Sequence, residues 1–137
     1  MTTGGKGLHV TVPLQPRNDW NEVNEFSRAV AEIFARAKPD QFTTVMSKAK
    51  RTGRIFIDYL RNARGATAIA PYSTRARPGA TVATPLRWGE LSESIHADHF
   101  TVVNFAKRLG SLTSDPWEGF HALAQTLSKA TLRKLSL

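Results

Sequence analysis

Residues 48–77 place one carboxylate, Asp58, among eight cationic side chains: Lys48, Lys50, Arg51, Arg54, Arg61, Arg64, Arg75 and Arg77. Asp58 follows the apolar run Ile55, Phe56, Ile57 and precedes Tyr59, Arg61, Asn62 and Arg64. The β-branched and aromatic content of Arg54–Asn62 predicts a buried strand, with the acid delivered at its mouth. An acid so placed is poor packing but fits binding, most naturally of a metal ion that carries phosphates. The alternative is an aspartate locked in ion pairs with the arginines around it.

The charge distribution points to the same stretch. The whole chain of 137 residues carries +8, and residues 48–77 alone carry +7. The flanking segments nearly cancel, so the excess is a block and not a general solubility device. Six of the eight cations are arginine, which favours geometric recognition of phosphate. A polyanion is the partner this predicts.

A second candidate site lies at the beginning, in TTGGKGLHVTVPL. Gly4, Gly5 and Gly7 allow backbone N–H groups to turn toward an anion, with Lys6 as a point charge. A Walker A loop is excluded, because Gly7 and a strand follow the lysine where Ser or Thr and a helix are required. His9 lies within the predicted strand Leu8–Leu14 and, taken alone, reads as structural. His96, Asp98 and His99 are too loosely spaced, with no fourth ligand, for a convincing metal site.

The elements that must position these groups follow from periodicity. Asp19 and Glu22 have capping-box spacing, and Trp20, Val23, Phe26, Val30, Ile33 and Phe34 form the core stripe of a helix from Trp20 to about Ala37. Pro39 ends it. Its acids, Glu22, Glu25 and Glu32, belong to the solvated face. Residues 40–53 read as a polar connection. A strand over 66–73 precedes Arg75 and Arg77, whose alternation puts both on one side. Pro78-Gly79 is a turn, Thr81–Leu86 an edge-like segment ending at Pro85, and Trp88–Ile95 a short helix. Strand passes into helix over Phe100–Leu109, and a last amphipathic helix runs from Trp117 to about Leu135. The fold class is mixed α/β in one domain, 1–137. Absence of cysteine excludes disulfides and thiolate metal sites. With no apolar run long enough to span a membrane and no signal-like N-terminus, a cytoplasmic setting without membrane contact is expected.

GGKGLHVTVPL, RIFIDYLRNARGATAIAPYSTRARPGA and TPLRWGEL together resemble the polymerase domain of bacterial ATP-dependent DNA ligase D, in the archaeo-eukaryotic primase superfamily. The similarity covers Thr3 to about Pro116. It implies a primase-polymerase-like sheet of mixed strands flanked by helices, truncated at its N-terminus. It implies that Thr3 (where serine is usual), Lys6 and His9 hold a nucleoside triphosphate, that Asp58 is the third metal carboxylate, and that Arg51, Arg61 and Arg75 clamp phosphates. Mn²⁺ or Mg²⁺ would be the cofactor, and nucleotidyl transfer at DNA ends in end-joining repair the activity, at the bacterial nucleoid. A Ku-type protein, or a ligase domain on another chain, would be the partner. The family's Asp-x-Asp motif occurs nowhere in the sequence, so the chain is expected to be inactive alone. A truncated sheet would also expose a strand edge and invite self-association. The competing reading is a non-catalytic nucleic-acid-binding remnant that grips phosphates through residues 48–77.

Overall fold

The computed structural model describes residues 1–135 and divides the chain into two compact units. One comprises Met1–Pro13 with Ile69–Ala124, the other Leu14–Ala68 with the chain from Gln125 onward. The architecture is mixed α/β, with a small sheet and helices.

In the second unit, helix α1 (Trp20–Ala37) begins where the sequence dictates. Asp19 Oδ1 accepts from the Glu22 N–H at 2.9 Å, and Glu22 Oε2 accepts from the Asp19 N–H at 3.0 Å. Two of the donors orphaned at a helix start are thereby satisfied. Glu22 also accepts from Asn18, so it is a capping group and not merely a solvated acid. Lys38 N–H closes the last turn on the Phe34 carbonyl, and Pro39 follows. The helix buries Ala29 and Ala31 deepest, whereas Trp20 and Phe34 stay about half exposed. The expected stripe is therefore only partly core.

Strands β1 (Phe42–Thr43) and β2 (Ile55–Phe56) pair in parallel, Phe42 against Ile55 and Thr43 against Phe56. Phe34 of α1 meets Phe42 edge-on, centroids 5.8 Å apart. Strand β1 lies inside the stretch expected to be a polar connection. The predicted buried strand of Arg54–Asn62 shrinks to two residues, and Ile55 is 63% exposed. It ends early because Asp58 Oδ1 accepts from the Leu60 N–H at 3.1 Å, an Asx turn that bends the backbone out of the ladder.

The first unit is organised around Thr81–Pro85, whose residues are all buried. The segment expected at an edge is the centre. Its alternate residues bond to different neighbours: Thr81 and Ala83 to residues 72–75, Val82 to Phe100, and Thr84 to Thr2. With partners on both sides, the peptide groups can be buried fully satisfied. The predicted strand over 66–73 is absent, since the chain turns at Pro71–Tyr72. The predicted strand Leu8–Leu14 reduces to one bridge, Thr2 with Leu8, and leaves Val10 74% exposed. Trp88–Glu90 forms a single 3₁₀ turn in place of a helix.

Thr101 bridges Thr81 and passes directly into α2 (Val102–Ser111), as expected from the sequence. Arg108 of α2 forms an ion pair with Glu90, donates to the Pro85 carbonyl at 3.2 Å and lies over the Phe100 ring. The long C-terminal helix does not form. Gly119 adopts φ +75°, a 3₁₀ turn covers Phe120–Ala122, and extended chain leads to the short α3 (Lys129–Lys134). Both backbone groups of Leu127 are held by the Asn18 amide, at 3.0 and 3.1 Å, a demand that a helix there could not meet.

Candidate anion cradle

The glycine-rich loop is shaped by one hydroxyl. Thr3 Oγ1 donates to the Gly7 carbonyl at 2.7 Å and accepts from the Gly5 N–H at 3.1 Å. Gly4 turns at φ +63°, a conformation natural to glycine, and donates its N–H to the Ala97 carbonyl at 2.8 Å. The Gly4 and Gly5 N–H groups are thus committed inside the protein, and the expectation that they face an anion is corrected. Their burial forces it, because an unpaired buried amide is costly. Lys6 and Gly7, both exposed, occupy the loop tip. His9 closes the loop through its backbone, its N–H donating to the Met1 carbonyl at 2.9 Å.

Arginines come to this loop from the segment after Tyr72. A Cβ placed on Gly5 would lie 2.6 Å from Arg75 Nη1, 3.2 Å from Thr3 Oγ1 and 3.5 Å from Arg77 Nη1. Both guanidinium groups therefore reach the face of Gly5 that has no side chain. Neither forms an ion pair among the described residues. The turn behind them is closed by Ala80 N–H to the Arg77 carbonyl at 2.8 Å, with Gly79 at φ +82°. Tyr72 (φ 64°) and Ala80 (φ 44°), the positive-φ non-glycine residues of the described chain, bracket the arginine segment. Backbone strain of this kind clusters where geometry serves binding.

Asp58, Arg51 and Arg61 lie in the other unit. Asp58 Oδ2 is 3.7 Å from Arg61 Nε, a loose pair between side chains that are 42% and 66% exposed. Arg61 Nη1 donates to the Thr67 carbonyl at 3.3 Å. Arg51 is built into its surroundings: it stacks on Phe56 at 3.8 Å and donates to the carbonyls of Val45, at 3.1 Å, and Met46. Of the eight cations in residues 48–77, Arg61 alone has an acidic partner among the described residues. The same residues contain no group of three or more potential ligands able to hold a metal ion. Asp58 is a single carboxylate, and the donor set does not fit a resident divalent ion. His96, Asp98 and His99 form no such group either; His99 packs edge-on against Phe100, centroids 4.8 Å apart.

The structure thus brings Thr3 and Arg75 together on one loop face, with Lys6 and His9 on the same loop. It adds Arg77, which the alternation with Arg75 signalled, and Thr81, whose role no sequence pattern announced.

Residues 1–117 match the family described as LigD, primase-polymerase domain. The multifunctional non-homologous end joining protein LigD of Pseudomonas aeruginosa is 41% identical over 135 residues, which are 98% of this chain and 16% of that protein. The bifunctional LigD of Bacillus subtilis is 36% identical over 108 residues, 78% of this chain and 18% of that protein. Among solved structures, the polymerase domain of Mycobacterium tuberculosis ligase D in complex with DNA matches with a TM-score of 0.68 at 30% identity, covering 78% of this chain and 37% of that one. The sequence therefore spans less than a fifth of these curated relatives. On the family match and the shared fold, the chain belongs to the LigD primase-polymerase domain family.

Proposed function

We propose that this chain is the phosphate-holding part of a polymerase domain that acts at DNA ends in non-homologous end joining, and that the Arg75 and Arg77 guanidinium groups beside Gly5 receive the triphosphate of the incoming nucleotide. The observation that carries this is the convergence of Arg75 and Arg77 on Gly5 without an acidic partner. Two neighbouring planar guanidinium forks offer charge-assisted donors to pairs of phosphate oxygens. Thr3 fixes the loop beside them through its bonds to Gly5 and Gly7, and Lys6 and His9 lie on the same loop. The LigD structure solved with DNA supports assigning DNA as the second ligand.

Asp58 is a single carboxylate and no Asp-x-Asp is present in the sequence, so the carboxylates that a Mn²⁺ or Mg²⁺ ion requires would have to come from outside these residues. By itself the chain holds phosphate and does not complete nucleotidyl transfer. The setting that follows is the bacterial cytoplasm at the nucleoid, with a Ku-type protein or a ligase domain as partner and self-association as a route to cover exposed apolar surface. Among the described residues no helix is long and apolar enough to cross a membrane.

The test is a titration of labelled nucleoside triphosphate with Mn²⁺ against wild type, His9→Ala, Asp58→Ala and Arg75→Ala. Saturable binding lost in Arg75→Ala and His9→Ala is expected. Absence of binding by folded wild type sinks the nucleotide reading. It would favour the second reading, a non-catalytic module gripping nucleic acid, which draws on the +7 block of residues 48–77, where Arg61 alone has an acidic partner among the described residues.

A further inference from the structure

We infer that Thr81 is the positioning residue that locks the glycine loop and the arginine segment into one binding surface; the inference rests on the triphosphate reading above. Thr81 is only 5% exposed, so it acts through its neighbours. Its hydroxyl donates to the Gly4 carbonyl at 2.7 Å. Its own carbonyl accepts from the Arg75 N–H at 2.8 Å. On its other side it bridges Thr101, the residue that starts α2.

One residue therefore sets two distances at once. The hydroxyl fixes where Gly4 turns, and the carbonyl fixes where the Arg75 backbone begins its reach. The stem of Arg75 passes over the same glycine, with Cδ 3.4 Å from where a Gly4 Cβ would stand. The fit is close enough that the Thr81 hydroxyl lies 2.9 Å from that same Cβ position. A side chain that packs equally well but cannot donate would leave the buried Gly4 carbonyl without its partner and let the loop move relative to Arg75. Pre-organisation of this kind governs affinity without direct contact.

The experiment compares Thr81→Val, which keeps the shape and removes the donor, with Thr81→Ser, which restores it, in the full chain. Two readouts are taken: triphosphate affinity with Mn²⁺, and amide chemical shifts of Gly4, Gly5 and Arg75. Affinity is expected to fall about tenfold in Thr81→Val, as for loss of one ordering hydrogen bond, and to recover in Thr81→Ser. The three amides should move in the valine variant and return in the serine variant. Binding that Arg75→Ala abolishes but Thr81→Val leaves intact overturns the inference while the functional reading stands. If wild type binds no triphosphate, the functional reading fails, and unmoved amides in Thr81→Val overturn the positioning role as well.

Discussion

Arg75 and Gly5 occupy what would otherwise be one volume: a Cβ on residue 5 would stand 2.6 Å from Arg75 Nη1. The colliding atom is the far end of a flexible side chain, so the arginine yields and the backbone does not. Thr3 Oγ1, 3.2 Å away and held by two hydrogen bonds, must give slightly as well, so Gly5→Ala is expected to cost about 1 kcal/mol of stability and to weaken triphosphate binding by about tenfold by displacing the guanidinium. Calorimetric titration beside thermal unfolding separates the two effects.

Gly4→Ala should weigh more heavily on stability. Residue 4 has φ +63°, and its Cβ would meet the buried Thr81 hydroxyl at 2.9 Å. The left-handed backbone alone costs an alanine about 1–2 kcal/mol. Urea unfolding is expected to show at least that loss, and an unchanged midpoint would contradict the geometry.

Tyr72 donates to Asp115 Oδ2 at 2.7 Å. Burial, then this bond to a carboxylate, pushes its phenol up to about 12. A folded pKa above the unfolded value means that the contribution is fully present below about pH 10 and is lost as pH rises toward 12. Absorbance at the phenolate band should show a component titrating near pH 12 that Tyr72→Phe removes. In Tyr72→Phe the alkaline loss of stability should also be smaller.

Glu90 and Arg108 tie the turn at Trp88–Glu90 to α2, with side chains 29% and 12% exposed. The hydrogen bond from Arg108 holds the Glu90 carboxyl below its ordinary range. A depressed folded pKa gives stability that is present above the ordinary glutamate value and lost as pH falls through the lower one. Glu90→Gln should cost about 2 kcal/mol at neutral pH, less than a fully buried pair because Glu90 keeps some solvent. The difference from wild type should close in acid, which unfolding curves over a pH series would reveal.

DNA binding by the basic block should weaken steeply with salt, at a slope of about −0.9 per phosphate neutralised. Lys48→Ala and Arg64→Ala, each removing an exposed cation, should lower that slope by about one unit apiece. Arg51→Ala should instead loosen the fold locally, because its guanidinium is held by Phe56 and the Val45 and Met46 carbonyls. Filter binding across a salt series distinguishes these outcomes.

The sequence by itself determined those features whose physics is local. Helix α1 starts and stops as read, because Asp19, Glu22 and Pro39 act within a few residues of the backbone they control. The turn at Pro78–Gly79 and the entry to α2 at Thr101 are likewise set by near neighbours. The concentration of charge in residues 48–77 needs no structure at all. Tertiary structure decided whatever depends on distant partners. Thr81–Pro85 looked like an edge until residues 2, 72–75 and 100 supplied hydrogen bonds on both sides. The C-terminal apolar stripe suggested one helix, but Asn18, 109 residues away, takes both backbone groups of Leu127. Three glycines suggested an N–H cradle, and the fold turned two of those amides inward, to Ala97 and Thr3. A pattern along the chain reports which residues can pair, whereas burial decides which of those pairings must be made.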